Sequence, residues 1–500
     1  MRRGSRFYCG FILAWLTGCA VGPNYRVPNT PLPPRYAANT SSAASDGAAV
    51  EPSKWWHSLG DAQLDSLIDE AVRDNPDINI ALTRLQQVRT EQAGYASAAL
   101  PSVAASAAGG RGTGSDLTRT GAAPPLREAD NKGDWNQIRQ IAGFSASWEL
   151  DLFGGFRRTL EAGRCDVGAA AAARDAILIG VIADVARNYV EMRGLQTRLA
   201  ITVDSIKAAT EARDLQQAQF DRGITNELDL QLASRELETL RAGLPLIRNA
   251  ISSRQYNIAV LLGRYPEDLT TELQTTGTLP AVPSQVEAGL PLDLLRRRPD
   301  IREAERNLAG ATARIGVATA NLFPQVSLSG GLGTQSDSLG TQGSHIWAFG
   351  PAVYWPLLDF GALDARVGIA DLEAQARLIA YKKTVVAAVQ DADVAINQFA
   401  AQRERLNSLR DALTASERAV SLAQQRYDRG LTDFLNVVDA EHQQYSLKDQ
   451  YTAAEQDTAE AFIQVCLALG GGWESYQELP PIRRPEPAVI AGFHRIATGR

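Results

Sequence analysis

The sequence predicts a mainly α-helical chain with a smaller β part, built from one structural unit that occurs twice. Three observations predict it. Motifs of the first half return in the second at constant offsets; each half holds a very long proline-free stretch; and each half carries segments in which apolar residues alternate with small or polar ones. Phe220-Asp221-Arg222-Gly223-Ile224-Thr225 returns as Tyr427-Asp428-Arg429-Gly430-Leu431-Thr432. At the same offset Leu262-Gly263 meets Leu469-Gly470, and Trp148, Leu150, Phe153 and Gly154 meet Trp355, Leu357, Phe360 and Gly361. Earlier in each half, Pro76-Asp77-Ile78 returns as Pro299-Asp300-Ile301 and Pro101 as Pro324, at a longer offset. The first copy therefore carries extra residues between Pro101 and Trp148. Such self-similarity marks a duplicated architecture.

In chain order, the first element is an export signal. Arg2, Arg3 and Arg6 form a positive start, and Phe7 to Leu16 a short apolar stretch. A membrane-spanning helix needs ~20 apolar residues, so this stretch does not span. Leu16-Thr17-Gly18-Cys19 follows and resembles the bacterial lipobox, in which small residues precede the cleaved bond and a thiol receives lipid. Residues 1–18 are expected to leave as a signal peptide, with Cys19 carrying the lipid, palmitate included; an ordinary signal with an incidental cysteine is the blander reading. Ala20 follows, where an aspartate would favour the inner membrane, so delivery to the outer membrane is expected. Residues 19–60 then form a lipid-anchored, extended tether rich in Pro, Ala and Ser. Of the cysteines left, Cys165 and Cys466 are either two small buried residues or a pair in an oxidising periplasm.

Residues 61–280 and 281–471 hold the two copies. Each begins with a helix of several turns, Pro76 to Leu100 and Pro299 to Phe323. A strand pair follows, at about 102–150 and about 325–358. Next come the proline-free stretches Phe156 to Phe220 and Gly361 to Tyr427, roughly 65 residues each and ~100 Å long if continuous. A glycine turn and a returning helix close each unit, and Pro245 is expected to kink the first returning helix. Leu406, Leu413, Val420 and Tyr427, interleaved with Leu409, Ser416 and Ala423, have the spacing of a coiled-coil seam. Leu199, Ile206 and Phe220 hold the matching register in the first copy, where Arg213 breaks it. Residues 472–500 form an irregular proline-containing tail, and Gly109 to about Gly133 an external loop.

The alternation is regular. Ala142, Phe144, Ala146, Trp148 and Leu150 alternate with Gly143, Ser145, Ser147 and Glu149; Val326, Leu328 and Leu332 alternate with small residues; Trp347, Phe349, Val353 and Trp355 do likewise. A period of two with aromatic residues near the ends suits a lipid-facing wall with a polar lumen, although a half-buried soluble sheet shows the same pattern. After the signal no apolar run is long enough for a membrane helix, so a crossing must use strands. Four strands cannot close a barrel, which needs about eight. Several chains must share one: two would give a filled barrel, three a barrel with a lumen. The net charge of −7 offers no basic face for nucleic acid.

These residues resemble the TolC-like outer-membrane factors, within them the lipidated branch of OprM and NodT type. The resemblance is carried by Cys19-Ala20-Val21-Gly22-Pro23-Asn24-Tyr25, Trp55-Trp56, Leu59-Gly60-Asp61, Asn75-Pro76-Asp77 and Arg297-Arg298-Pro299-Asp300-Ile301, through the second glycine turn. It implies a homotrimer with a twelve-stranded outer-membrane barrel continued by a long α-helical periplasmic barrel. It also implies a periplasmic adaptor (a membrane fusion protein) and an inner-membrane pump of the resistance–nodulation–division (RND) type, exporting drugs or other amphiphiles. The turns Gly223-Ile224-Thr225 and Gly430-Leu431-Thr432 would be the periplasmic tips that dock the adaptor. Leu435 and Asp439, one helical turn apart, match the leucine and aspartate that close the inner end of the tunnel; three copies would set a carboxylate ring above a leucine ring. The family often has arginine where His442 stands, which leaves an ion pair from Asp439 to that position in doubt.

Two other classes compete. Catalysis finds little support: His57, His345, His442 and His494 are scattered without metal-ligand spacing, and Gly330, Gly331 and Gly333 lie in a strand-like stretch without a following helix. No catalytic residue, metal or cofactor is expected beyond the lipid on Cys19. A lipid-anchored coiled-coil scaffold explains the helices but leaves the strands idle. A duct for protein secretion rather than small-molecule efflux stays open, and the cargo is unreadable.

Overall fold

The structure is a computed structural model, and it describes residues 20–37, 52–111, 138–270, 272–273, 277–283, 291–336 and 344–476. The signal, Cys19, most of the expected external loop and residues 477–500 of the tail lie outside them. Among the described residues the helices are α1 (Ala62–Asp74), α2 (Pro76–Ala98), α3 (Gly155–Asp221), α4 (Glu227–Leu261), α5 (Pro266–Thr270), α6 (Pro291–Arg297), α7 (Pro299–Ala320), α8 (Ala362–Asp428) and α9 (Phe434–Ala468). The strands are β1 (Ser102–Arg111), β2 (Ile138–Leu150), β3 (Gln325–Ser336) and β4 (Ser344–Tyr354). None of these helices is long and apolar enough to cross a membrane. The duplication is visible in the lengths: α3 and α8 have 67 residues each, α4 and α9 have 35 each. Pro245 lies inside α4, which continues through it.

Two compact units divide the chain. One contains the sheet, with the described residues of Leu85–Ala171 and Glu303–Lys382 and those from Ala20 to Asn29. Its four strands pair antiparallel in the order β1-β2-β3-β4. The registers keep the alternation in phase: Phe144 faces Leu332, Trp148 faces Leu328, and Leu332 faces Trp347 across the strands. Directly opposed residues share a face of the sheet. One face thus gathers Val103, Phe144, Leu332, Trp347, Phe349 and Val353, all well exposed in the single chain, while the other is mostly small or polar, with Ser106, Ser145, Ser147, Ser327, Ser329, Gly331 and Gly333 beside Ile346 and Tyr354.

In the same unit the first described residues are bonded down rather than free. The Val21 amide donates to the Phe153 carbonyl at 3.1 Å. Arg158, only 3% exposed, donates to the carbonyls of Val21 and Gly22 and to Asn24 Oδ1 at 3.0, 3.1 and 2.8 Å. Val21, Gly22 and Asn24 are thereby held against the junction of β2 and α3, with Gly22 at φ +86°. The sequence gives no sign of this, because the clamp is made of backbone carbonyls far from Arg158 along the chain.

The other unit holds Thr30–Arg84, Ala172–Arg302 and the chain from Lys383 onward. Its core includes Trp55 and Trp56, both nearly fully buried; Trp55 meets Phe462 edge-on at 6.1 Å and Trp56 stacks on Tyr476. Arg193 is buried beside the Tyr189 hydroxyl and donates to Gln63 and Gln196. The residues of the expected seam on α8, from Leu406 to Tyr427, are all half-buried between exposed neighbours. On α3 the line differs: Ser205, Ala209 and Gln216 are buried at 2%, 8% and 0% exposure, whereas Phe220 is 38% exposed. Small and amide side chains allow close approach there, and Gln216 donates to the Tyr427 hydroxyl at 3.2 Å. Arg213 pairs with Asp214 at 3.0 Å. Cys165 and Cys466 are free thiols.

Candidate functional site

The glycine turns close two helical hairpins with the same bonds. The Gly223 amide donates to Phe220 O at 2.8 Å and Ile224 to Gln219 O at 2.9 Å; Gly430 donates to Tyr427 O and Leu431 to Arg426 O at the same distances. This is a Schellman closure, with glycine in the left-handed conformation at φ +73° and +69°. Neither glycine has a neighbour where a Cβ would point, so conformation alone requires it. Closing the turn leaves Ile224 and Leu431 71% and 63% exposed. Thr225 donates to Asp229, one turn into α4, and Thr432 accepts from Asn436, one turn along the other hairpin.

Beyond the second turn, Phe434, Val437 and Val438 bury against Ala233, with Ala212, Ala423 and Tyr427 packed around them. The aromatic rings of Tyr427 and Phe434 lie 5.5 Å apart. That cluster fixes the rotation of α9. It leaves Leu435 51% exposed and Asp439 exposed on the adjoining face. Leu228, the counterpart of Leu435 in the first copy, is 65% exposed on α4.

His442 turns away from Asp439 and meets Glu236 of α4, Nδ1 to Oε1 at 3.1 Å. Behind this pair, burial and the Glu236 carboxylate raise Glu441 above the ordinary glutamate range. Burial, then Glu441 and Glu236, push Tyr445 up to about 12. The sequence places His442 near Asp439 along the helix but cannot show its partner across the hairpin. Among the described residues no group of three His, Cys, Asp or Glu side chains could hold a metal.

The chain thus combines an amphipathic four-stranded sheet with two long helical hairpins in a duplicated order. The family described as "Outer membrane efflux protein" matches residues 67–264 and 290–471, and the chain belongs to it. It is 30% identical over 476 residues to Nodulation protein T of Rhizobium leguminosarum bv. viciae, covering 95% of this chain and 94% of that one. It is 28% identical to the toluene efflux pump outer membrane protein TtgC of Pseudomonas putida, covering 92% and 93%. The outer-membrane channel OprN superposes with a TM-score of 0.81 at 35% identity, over 92% of this chain and all of that one. The open MtrE channel of Neisseria gonorrhoeae gives 0.76 at 27% identity, again over 92% and 100%. The protein is an efflux channel of the outer membrane, and the secretion-duct and scaffold readings give way to this one.

Proposed function

We propose that three copies of this chain close a twelve-stranded barrel and a helical periplasmic tunnel, a passive duct that takes drugs or other small amphiphiles from an RND-type pump through a periplasmic adaptor. A lipid on Cys19 anchors each copy in the outer membrane. The observation that carries assembly is the inequality of the two repeats. On α8, Ile369, Leu372, Ile379 and Val386 are 65%, 65%, 69% and 67% exposed, at coiled-coil spacing. Their counterparts on α3 include Ala162, Ala172 and Ile179, at 5%, 1% and 9%. A face that is covered in the first copy is bare in the second, and so is the outer edge of β4. Another copy of the chain supplies the cover for both, since sheet edges are not left open in lipid.

The exposed Ile224 and Leu431 give the adaptor apolar side chains to bury at the tips, beside Gly223, Thr225, Gly430 and Thr432. Leu435 and Asp439, held in place by the Phe434–Val438 cluster behind them, form the gate: leucines narrow the bore and carboxylates favour cations. The test is single-channel conductance in planar bilayers. Leu435→Ala with Asp439→Ala should leave the trimer intact and raise conductance, with weaker preference for cations. An unchanged conductance in intact trimers would sink the gate assignment.

A further inference from the structure

We infer that Glu149 gives each chain one uncompensated carboxylate on the small, polar face of the sheet, and that its copies form a ring of negative charge at the periplasmic mouth of the barrel, selecting cationic cargo independently of Asp439. The inference rests on the closed barrel proposed above, with its polar face turned to the lumen. It adds the residue that sets the charge of that lumen.

The strand register places Glu149. On β2, Trp148 stands opposite Leu328 and Leu150 opposite Val326, all on the apolar face. Glu149, opposite Ser327, therefore lies on the other face. Its surroundings there are Ser147 two residues back on β2, Ser329 diagonally across on β3, and Ala352 on β4 beyond Ser327. From the paired Gly143 and Gly333 down to the foot of the strands, Glu149 is the one charged residue on that face. Arg139 has the same parity but stands at the far end of β2, ten residues or ~33 Å along the strand.

The charge of Glu149 is not taken up nearby. The side chain is exposed, and among the described residues its carboxylate pairs with no cation. The next carboxylate along the chain is different: Asp151 accepts from the Arg157 amide at 3.0 Å and from Arg157 Nε at 3.2 Å. Trp148 gives the level. Its Nε1 donates to Ala99 O at 3.1 Å, just past the end of α2 and at the foot of the strands. Aromatic residues at the ends of a lipid-facing band mark the membrane interface, so Glu149 sits at the inner end of the barrel. The second copy holds Pro356 at the matching position, beyond the end of β4 at Tyr354. Each chain thus contributes one carboxylate at this level.

The size of the barrel decides whether that charge matters. A wall of twelve strands ~4.8 Å apart and tilted ~40° has a radius of ~12 Å. A carboxylate reaching inward from it lies about one screening length from the axis in ~0.1 M salt, where that length is ~10 Å, and several lengths away in ~1 M, where it is ~3 Å. The ring therefore enriches cations across the whole bore at low salt and loses its hold at high salt. The cargo it favours is an amphiphile bearing a positive charge.

The experiment measures reversal potentials of full-length trimers in planar bilayers under a KCl gradient near ~0.1 M. It is run in the Leu435→Ala/Asp439→Ala background, which removes the gate carboxylates, and repeated with the gate unsubstituted, so that a failure of the gate assignment leaves the comparison readable. Glu149→Gln should lower the potassium-to-chloride permeability ratio about threefold, and Glu149→Lys should bring it below one. Both differences should vanish near ~1 M KCl. Glu149→Cys labelled with a sulfonate-bearing methanethiosulfonate should regain the cation preference, and labelled with a trimethylammonium one should reverse it. The chain without the added cysteine controls for Cys165 and Cys466. Conducting trimers whose ratio is moved neither by Glu149→Gln nor by either label overturn the ring. Trimers that conduct nothing overturn the duct reading beneath it.

Discussion

Arg158 shows how much one side chain can decide. Its guanidinium is almost wholly buried and satisfies the carbonyls of Val21 and Gly22 and the side-chain amide oxygen of Asn24, while pairing with Glu161 at 2.8 Å. Arg158→Ala strands those acceptors, at a cost on the order of 3 kcal/mol. The segment from Ala20 to Asn24 should then become cleavable by added protease, with β2 and α3 still protected. Equal protection in the two proteins would show that the clamp is dispensable. Glu441 makes a different point, because its environment acts on its proton. Its carboxyl is raised in the fold by burial and by Glu236, so the folded state holds that proton more tightly than the unfolded state. Stability from this group is full at acid pH and falls as pH rises from the ordinary glutamate range through the raised value. Amide protection in the first turns of α9, corrected for intrinsic exchange, should fall as pH rises through that window. In Glu441→Gln it should be level across that window, and an identical slope in both proteins would reject the assignment.

At the scale of elements, the hairpin ends follow from a local demand. A Schellman closure needs positive φ at one residue, only glycine adopts it without strain, and Gly430 sits there at +69°. Gly430→Ala should therefore cost about 1 kcal/mol, confined to faster exchange near the turn, with the trimer unchanged. This local kind of requirement is what makes an element legible in sequence. The turns, the 67-residue helices and the alternating strands can all be read from glycine, from absence of proline and from a period of two. The seam on α8 is legible for a similar reason, since its leucines repeat every seven residues. Its counterpart on α3 is not, because burial there runs through Ser205, Ala209 and Gln216. Such residues carry no hydrophobic signal, and it is the packing around them that puts them inside. The same limit applied to the candidate site. Exposure of Leu435 follows from the rotation that Phe434, Val437 and Val438 impose, whereas the pairing of His442 with Glu236 depends on which helix lies opposite.

For the whole molecule, duplication is the organising fact, because it lets one half of the chain report what the other half lacks. The bare stripe of α8 is one such difference. Burying an exposed isoleucine, leucine or valine contributes roughly 1.5–3 kcal/mol per side chain, so four such residues on each of several subunits are a substantial drive to assemble. Placing a carboxylate in the middle of the stripe would remove one contribution and add an unpaired buried charge, which costs several kcal/mol more. Ile379→Asp should thus abolish the trimer in detergent, as read by sedimentation. The helix content by circular dichroism should be retained, because Ile379 is 69% exposed in the single chain and packs little there. Ala172→Asp, at the matching position of the first copy, is 1% exposed and should instead damage folding of the chain itself. The two substitutions separate assembly from folding only if the repeats occupy equivalent places in a closed ring. If Ile379→Asp left the trimer intact, the stripe would have to face something other than a second copy, and the inequality of the repeats would need another cause.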